Sequence, residues 1–399
     1  MLAQLSVGVP DSSGLTLQER MRERGVVLEV DVSRDRVWYS IRAPREALEW
    51  ALLQLHQALT VPDIDPGRLE LVRRQMIADL TRAQADPERL RELAVWQVAY
   101  GARHPYARPV IGDRESLNEI TVDDLRALHR SQYRPESMFL VLSGDVRARK
   151  SRSLVRGGSG RSRPPVSESH APRPTARDAA PQARVLLVDL PGASQAHLSV
   201  VSRCRGEDAS LDSATLVMNT LLGGAAGSRL YRTLRGQYGY AYAASSRLVT
   251  SRQGTYLSAE TTVDVADAPD AVRLILSELE GLLDEPEPDE VVRARRHRES
   301  SLLALFETNR SIARLRARLV TLAIDPGRLE ELLGEIPEVE PHAIVLAAAR
   351  CVDPGRTSVV VVGDRRSLEL PLEELDVGSV RVVGAEGMWA VRPNVASQD

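Results

Sequence analysis

The stretch from 221 to 244, LLGGAAGSRLYRTLRGQYGYAYAA, joins a glycine pair, a short basic amphipathic helix and a run of tyrosines in one continuous segment. Within it Arg235 and Tyr242 lie seven residues apart. A guanidinium holds its donors in a fixed fork that suits a carbonyl or a carboxylate, and a phenol adds one more donor. Taken by themselves, the two read more simply as a solvated helix arginine and a strand-packing tyrosine. The seven histidines, His56, His104, His129, His170, His197, His297 and His342, are scattered, and none has a second histidine three to five residues away. Gly223 and Gly224 open a glycine-rich run, but no strand leads directly into it and no Gly-Lys-Ser/Thr follows, so it is not a phosphate loop. There is no Gly-x-Ser-x-Gly elbow, and Cys204 lies in a strand pattern without an obvious catalytic partner.

The elements that must position these residues follow from periodicity and punctuation. Leu221, Leu222, Leu230 and Leu234 fit a helix interrupted at the glycines, and Ala241 starts a strand after Gly239. Upstream, LTLQERMRERG (15–25) reads as a helix, and 26–43 as a strand pair turning at Arg34 and Asp35. Helices open after Pro44 and at Pro66, 104–112 is loop, Thr121 caps another helix, and 137–146 reads as a buried strand. Downstream, 183–190 and 195–204 are strands, and more strands lie around 240–262. Helices follow at 268–283, from Pro288 into the 310s, near 327–334 and at 341–351, and TSVVVVGD (357–364) closes the series as a strand.

Two elements recur at steady offsets. Ser143-Gly144-Asp145 and Val362-Gly363-Asp364 end corresponding strands 219 residues apart, and the helices at Pro66 and Pro288 start 222 apart. This is an internal duplication. In that register Met1 corresponds to a point near residue 214, so the first half has no counterpart of 183–213. Between the halves, 147–182 holds nine Lys/Arg against two acidic residues with hardly an apolar side chain, and reads as a flexible basic linker.

Leu-Gly-Gly at 222–224, Ser228-Arg229-Leu230, Leu234-Arg235 and Gly239-Tyr240-Ala241-Tyr242 together resemble the second-half signature of the insulinase (pitrilysin) family, which includes mitochondrial processing peptidase. HPYARPVIG (104–112), the run from 121 to 146 and TSVVVVGD are similar to the family's other landmarks, so the resemblance covers most of the chain. It implies an α+β fold of two homologous domains, each a mainly antiparallel sheet covered by helices, the first N-terminally shortened. The implied division is 1–146, linker 147–182 and 183–399. It also implies that Arg235, Tyr242, Gly223 and Gly224 hold a substrate peptide.

Active members carry His-x-x-Glu-His on a first-half helix, two imidazoles for zinc and a glutamate as general base. That motif is absent from all 399 residues, Ala3 falls where the last histidine belongs, and Asp79 lies near the place of the distal glutamate. The resemblance therefore implies a non-catalytic subunit of a heterodimer, with zinc in a homologous partner and none in this chain. The alternatives are a metallopeptidase with a cryptic site and a scaffold that kept only the fold.

Composition agrees with a globular chain: 43% hydrophobic, 27% charged and only 4% aromatic, so the core rests on Leu, Val and Ala. A net charge of −3 gives no reason to expect nucleic acid, and no apolar run reaches the ~20 residues needed to cross a bilayer. Arg-rich, Lys-poor usage fits a GC-rich bacterial genome. The start lacks a leader pattern, and two cysteines, Cys204 and Cys351, make neither a disulfide framework nor a zinc site, which suits a reducing cytoplasm.

Overall fold

The computed structural model describes residues 1–8, 14–62, 64–134, 137–146, 184–206 and 211–389. They form two compact units. Unit 1 takes Met1–Thr81, the stretch beginning at Val110, and Phe306–Thr321; unit 2 takes Arg82–Pro109, most of the second half up to Leu305, and the chain from Leu322 onward. This division differs from one drawn at 147–182. The first-half helix Pro87–Tyr100 lies in unit 2, and almost all of the second-half helix Asn309–Leu322 lies in unit 1. The expected linker itself lies outside the described residues.

In unit 1, Thr16 and Glu19 cap the helix Leu17–Arg22 reciprocally, the Glu19 N–H donating to Thr16 Oγ1 at 3.1 Å and the Thr16 N–H to the Glu19 carboxylate at 2.7 Å. β1 (Val27–Val32) and β2 (Val37–Arg42) pair antiparallel, with the expected turn between them. Met21, Val26, Leu28, Ala51 and Leu55 form the core beneath this hairpin. Arg73, almost buried on the helix Pro66–Gln84, donates to the Leu117 carbonyl and, at 2.7 Å, to that of Ile120, satisfying acceptors at the end of the helix Arg114–Glu119.

The buried strand expected at 137–146 does not form: no sheet pairing occurs there, and Met138, Phe139 and Leu140 are exposed. The corresponding second-half strand explains this. It is flanked on both sides by strands from 185–203, and the described residues of unit 1 offer only the β1–β2 hairpin.

Unit 2 is built on a six-stranded sheet. Its strands are β3 (Val185–Asp189), β4 (Gln195–Arg203), β5 (Ala241–Ser251), β6 (Gly254–Asp264), β7 (Ser358–Gly363) and β8 (Val380–Gly384), in the order β5-β6-β4-β7-β3-β8. The β5–β6, β6–β4 and β4–β7 ladders are antiparallel, while β7–β3 and β3–β8 are parallel. The sheet is therefore antiparallel-rich with a parallel end. The unbroken apolar runs of β3 and β7 suit that position, because both are buried throughout nearly their whole length. The helix Pro87–Tyr100 packs on β4 and β7, and the helix Ala268–Glu280 on β4 and β6.

Three details correct the sequence reading. The helix from Pro288 ends at Ala304 and a second runs from Asn309 to Leu322, because Thr308 and Ser311 exchange hydrogen bonds that start a new helix. Beyond β7, the helix Arg365–Glu373 and the strand β8 extend the fold. Cys204 and Cys351, 147 residues apart, are joined by a disulfide. The end of β4 and the end of the helix Pro341–Cys351 meet there, and the Arg205 N–H donates to the Arg350 carbonyl beside them at 2.8 Å. The cysteines thus give no support to a reducing compartment. No helix among the described residues is long and apolar enough to cross a membrane.

Candidate functional site

The segment between 212 and 247 adopts helix, glycine break, helical turns, glycine and strand in the order its sequence suggests. Asp212 caps the helix Ser213–Asn219 by accepting the Thr215 N–H at 2.8 Å, and Arg350 holds the same carboxylate at 2.6 Å. The helix then widens into a π-turn over Thr220–Gly224, and a second π-turn spans Tyr231–Gln237. Such turns displace side chains from the ordinary helical register and recur at functional sites. Gly227 and Gly239, with φ of +81° and +70°, reverse the chain on either side of the second turn.

Gly223 is buried, and its role is close packing. A Cβ there would lie 2.3 Å from the Ser246 nitrogen and 2.7 Å from the Ser245 carbonyl carbon, so only glycine lets the turn press on β5. Ser246 Oγ donates to Asn219 Oδ1 at 2.9 Å across this contact. β5 is the terminal strand of the sheet, and the turn packs against it at this point. Gly224 is exposed and stands next in line. Replacing Gly223 with alanine is expected to destabilise unit 2 by about 1–3 kcal/mol, because backbone rather than a flexible side chain must give way. Gly224→Ala meets its nearest neighbour, Asn219 O, only at 3.1 Å and should cost much less. Urea denaturation of the two variants measures the difference, and equal midpoints would show that the contact does not form.

Leu230 and Leu234 are both buried and anchor the second turn. Arg229 donates to the Gly281 carbonyl at 2.8 Å and pairs with Glu290 at 2.8 Å, and Arg232 pairs with the same glutamate. Burial opposes the Glu290 charge, but hydrogen bonds from the two arginines hold its carboxyl below the usual range. Arg235 is different. Its guanidinium carbon lies 5.1 Å from the centre of the Tyr231 ring and 4.9 Å from that of Tyr242, and it makes no ion pair among the described residues. Tyr242 is 84% exposed, at a bulge where the β5–β6 register slips between Ala241 and Ala244. Tyr242 is therefore not a packed strand tyrosine, while Arg235 is exposed on its turn with its guanidinium near two rings. The sequence pointed to Arg235 and Tyr242 and missed Tyr231, whose i,i+4 spacing to Arg235 was the available signal.

A second polar cluster lies on the helix Pro87–Tyr100 and the sheet beneath it. Arg91, nearly buried, bonds Glu88 and Ser199 and pairs with Glu260 at 3.2 Å. Burial works against its charge, yet the hydrogen bond to Glu88 and the nearby Glu260 hold its pKa above the ordinary value. His197 lies beside Glu88, and its pKa is lowered by burial and by Arg91. Ser199 and Glu260 face each other in the β4–β6 ladder, so the cluster fastens helix to sheet. No sequence pattern joins residues so far apart. The landmark HPYARPVIG is likewise structural: Tyr106 is buried against Trp96 and Tyr100, and Tyr100 Oη lies 2.8 Å from Ser251 Oγ.

Among the described residues no donor set fits a zinc ion. Ala3 is a buried methyl on the helix Leu2–Gly8, and among the described residues no group of three or more His, Cys, Asp or Glu side chains is placed to hold a metal. The geometry is therefore that of an α+β chain with an exposed Arg–Tyr cluster and no metal donor set among the described residues.

The family model for the peptidase M16 inactive domain matches residues 119–297. The non-peptidase homologue YmxG of Helicobacter pylori is 24% identical over 272 residues, 68% of this chain and 62% of that protein. An uncharacterized zinc protease of Mycobacterium tuberculosis is 32% identical over 184 residues, covering 45% of this chain and 41% of its own length. The chain thus spans less than two thirds of either relative. Two solved structures share the fold at 18% identity. A protease from Helicobacter pylori superposes with a TM-score of 0.80 over 90% of this chain and 88% of its own. A peptidase M16 inactive domain from Pseudomonas fluorescens gives 0.75 over 91% and 87%. Residues 119–297 thus match the M16 inactive domain, and the relatives and the shared fold support an insulinase-family (M16) homologue of that kind.

Proposed function

We propose that this chain is a non-catalytic insulinase-like subunit that pairs with a zinc-bearing homologue and helps hold a peptide in a chamber the two share, for proteolytic processing. The observation that carries this reading is the contrast within one chain. The segment bearing Arg235 and Tyr242 presents a guanidinium with no ion pair among the described residues and an exposed phenol, while the position of the metal motif holds Ala3. Arg235 supplies donors to peptide oxygens, and Tyr242 adds its hydroxyl. Gly223 contributes by packing the turn against β5, and Gly224 leaves the turn's outer backbone open to solvent. The mycobacterial relative bears the description of a zinc protease and YmxG that of a non-peptidase; the missing motif aligns this chain with the latter.

On this reading the purified chain binds no stoichiometric zinc and cleaves no peptide by itself. Metal analysis after dialysis, with a fluorogenic peptide assay on the same sample, tests it. One zinc per chain together with chelator-sensitive hydrolysis would establish the alternative, a metallopeptidase with its own site.

A further inference from the structure

We propose that Tyr231, Arg235 and Tyr242 form a carboxylate receptor, and that the peptide held there presents a free C-terminal carboxylate. The inference rests on the peptide-holding reading above and narrows it from peptide oxygens in general to one end of the chain.

The supply of acidic partners is the first observation. Three arginines lie in this segment, and Glu290 takes two of them, Arg229 and Arg232. Glu278, the other glutamate engaged with the turn, accepts from Thr233. Arg235 is left without an ion pair or hydrogen bond among the described residues, although it is the arginine whose side chain two rings hold in place.

The second observation is what those rings leave open. A cation–π contact engages the face of a guanidinium and its charge, and it does not consume the N–H groups along the edges. Arg235 therefore keeps a planar set of donors, partly ordered before any ligand arrives. Two parallel N–H groups match the two oxygens of a carboxylate, whereas a peptide carbonyl offers only one oxygen. Arg232, the neighbouring arginine, is already spent on such an acid within the chain.

Access is the third. The π-turn carries Tyr231 and Arg235, and the bulge at 241–244 turns the Tyr242 ring outward with 84% of its surface exposed. A ligand reaches the guanidinium from solvent without displacing a core residue. Because exposed ion pairs are weak and screened by salt, the preference for a carboxylate should be about tenfold rather than thousands.

The test is fluorescence anisotropy at low salt with a fluorescein-labelled eight-residue peptide of alanine, serine and leucine, made once as the C-terminal acid and once as the C-terminal amide. The acid is expected to bind the full chain about tenfold more tightly than the amide. Arg235→Lys, which keeps the charge and loses the fork, should reduce that ratio to near one. Tyr231→Phe should keep it and Tyr231→Ala should lose it, since the ring and not the hydroxyl orders the guanidinium. Equal binding of acid and amide to the unmodified chain, both weakened by Arg235→Ala, overturns the carboxylate assignment and leaves the holding role standing. Binding of neither peptide overturns the holding role as well. A preference for the acid that survives Arg235→Ala places the receptor elsewhere and also overturns the assignment.

Discussion

Breaking the Cys204–Cys351 bridge is expected to destabilise unit 2 by about 3–5 kcal/mol. The crosslink closes a loop between residues 147 apart in sequence, so in the unfolded chain it removes a large share of the freedom that folding must overcome. Both cysteines are buried in the folded state, and the neighbouring Arg205–Arg350 hydrogen bond and the Arg205–Asp353 ion pair at 2.6 Å keep the two chain ends together without it. The native fold should therefore persist after reduction while its unfolding midpoint falls. Urea titrations of the oxidised chain, the reduced chain and a Cys204→Ser/Cys351→Ser variant measure this. The reduced and substituted chains should coincide, both well below the oxidised one. Two thiols titrating in the unreduced, denatured protein would show that the bridge does not form.

The same bridge has a local reach toward the site. Arg350, the residue before Cys351, holds Asp212 at 2.6 Å, and Asp212 caps the helix that leads into the Gly223 turn. The crosslink, the cap and the glycine contact thus form one continuous support beneath the segment that carries Arg235.

Local chemistry was the legible part of this fold. Reciprocal caps at Thr16–Glu19 and Thr121–Asp124 mark helix starts because a short side chain there satisfies N–H groups that the helix leaves open. Prolines 66, 288 and 341 open helices where their missing N–H costs nothing. The apolar runs that became β3 and β7 also read as strands. What the sequence left out depends on partners far along the chain. The run 138–142 has the composition of a strand, but a strand exists only where a neighbour supplies its ladder. β8 carries Arg381 at its second position and shows no run of comparable length, and it is defined by its parallel pairing with β3. The disulfide and the Arg91–Ser199 contact join residues more than 100 apart. At the candidate site, the order helix, glycine break, helical turn and strand was visible in the sequence, while Arg235 and Tyr242 were singled out by the family resemblance. The bulge and the packing role of Gly223 depend on contacts with β5 and β6 that no local pattern shows, whereas Tyr231, four residues before Arg235, carried a signal that went unused.

The most direct test of peptide holding is the turnover of a reconstituted complex between this chain and a zinc-bearing insulinase-like subunit, assayed with unmodified and Arg235→Ala chains at matched zinc content. Arg235 makes no internal ion pair among the described residues and fills no core, so its loss should leave folding and pairing unchanged. A charge-assisted donor set aimed at substrate is worth about 1–3 kcal/mol when desolvated, so kcat/KM should fall about tenfold to a hundredfold. Tyr242→Phe, which removes one donor, should fall at the lower end of that range. Equal kcat/KM for the unmodified and Arg235→Ala complexes would contradict the account, and so would an Arg235→Ala chain that aggregates or fails to pair.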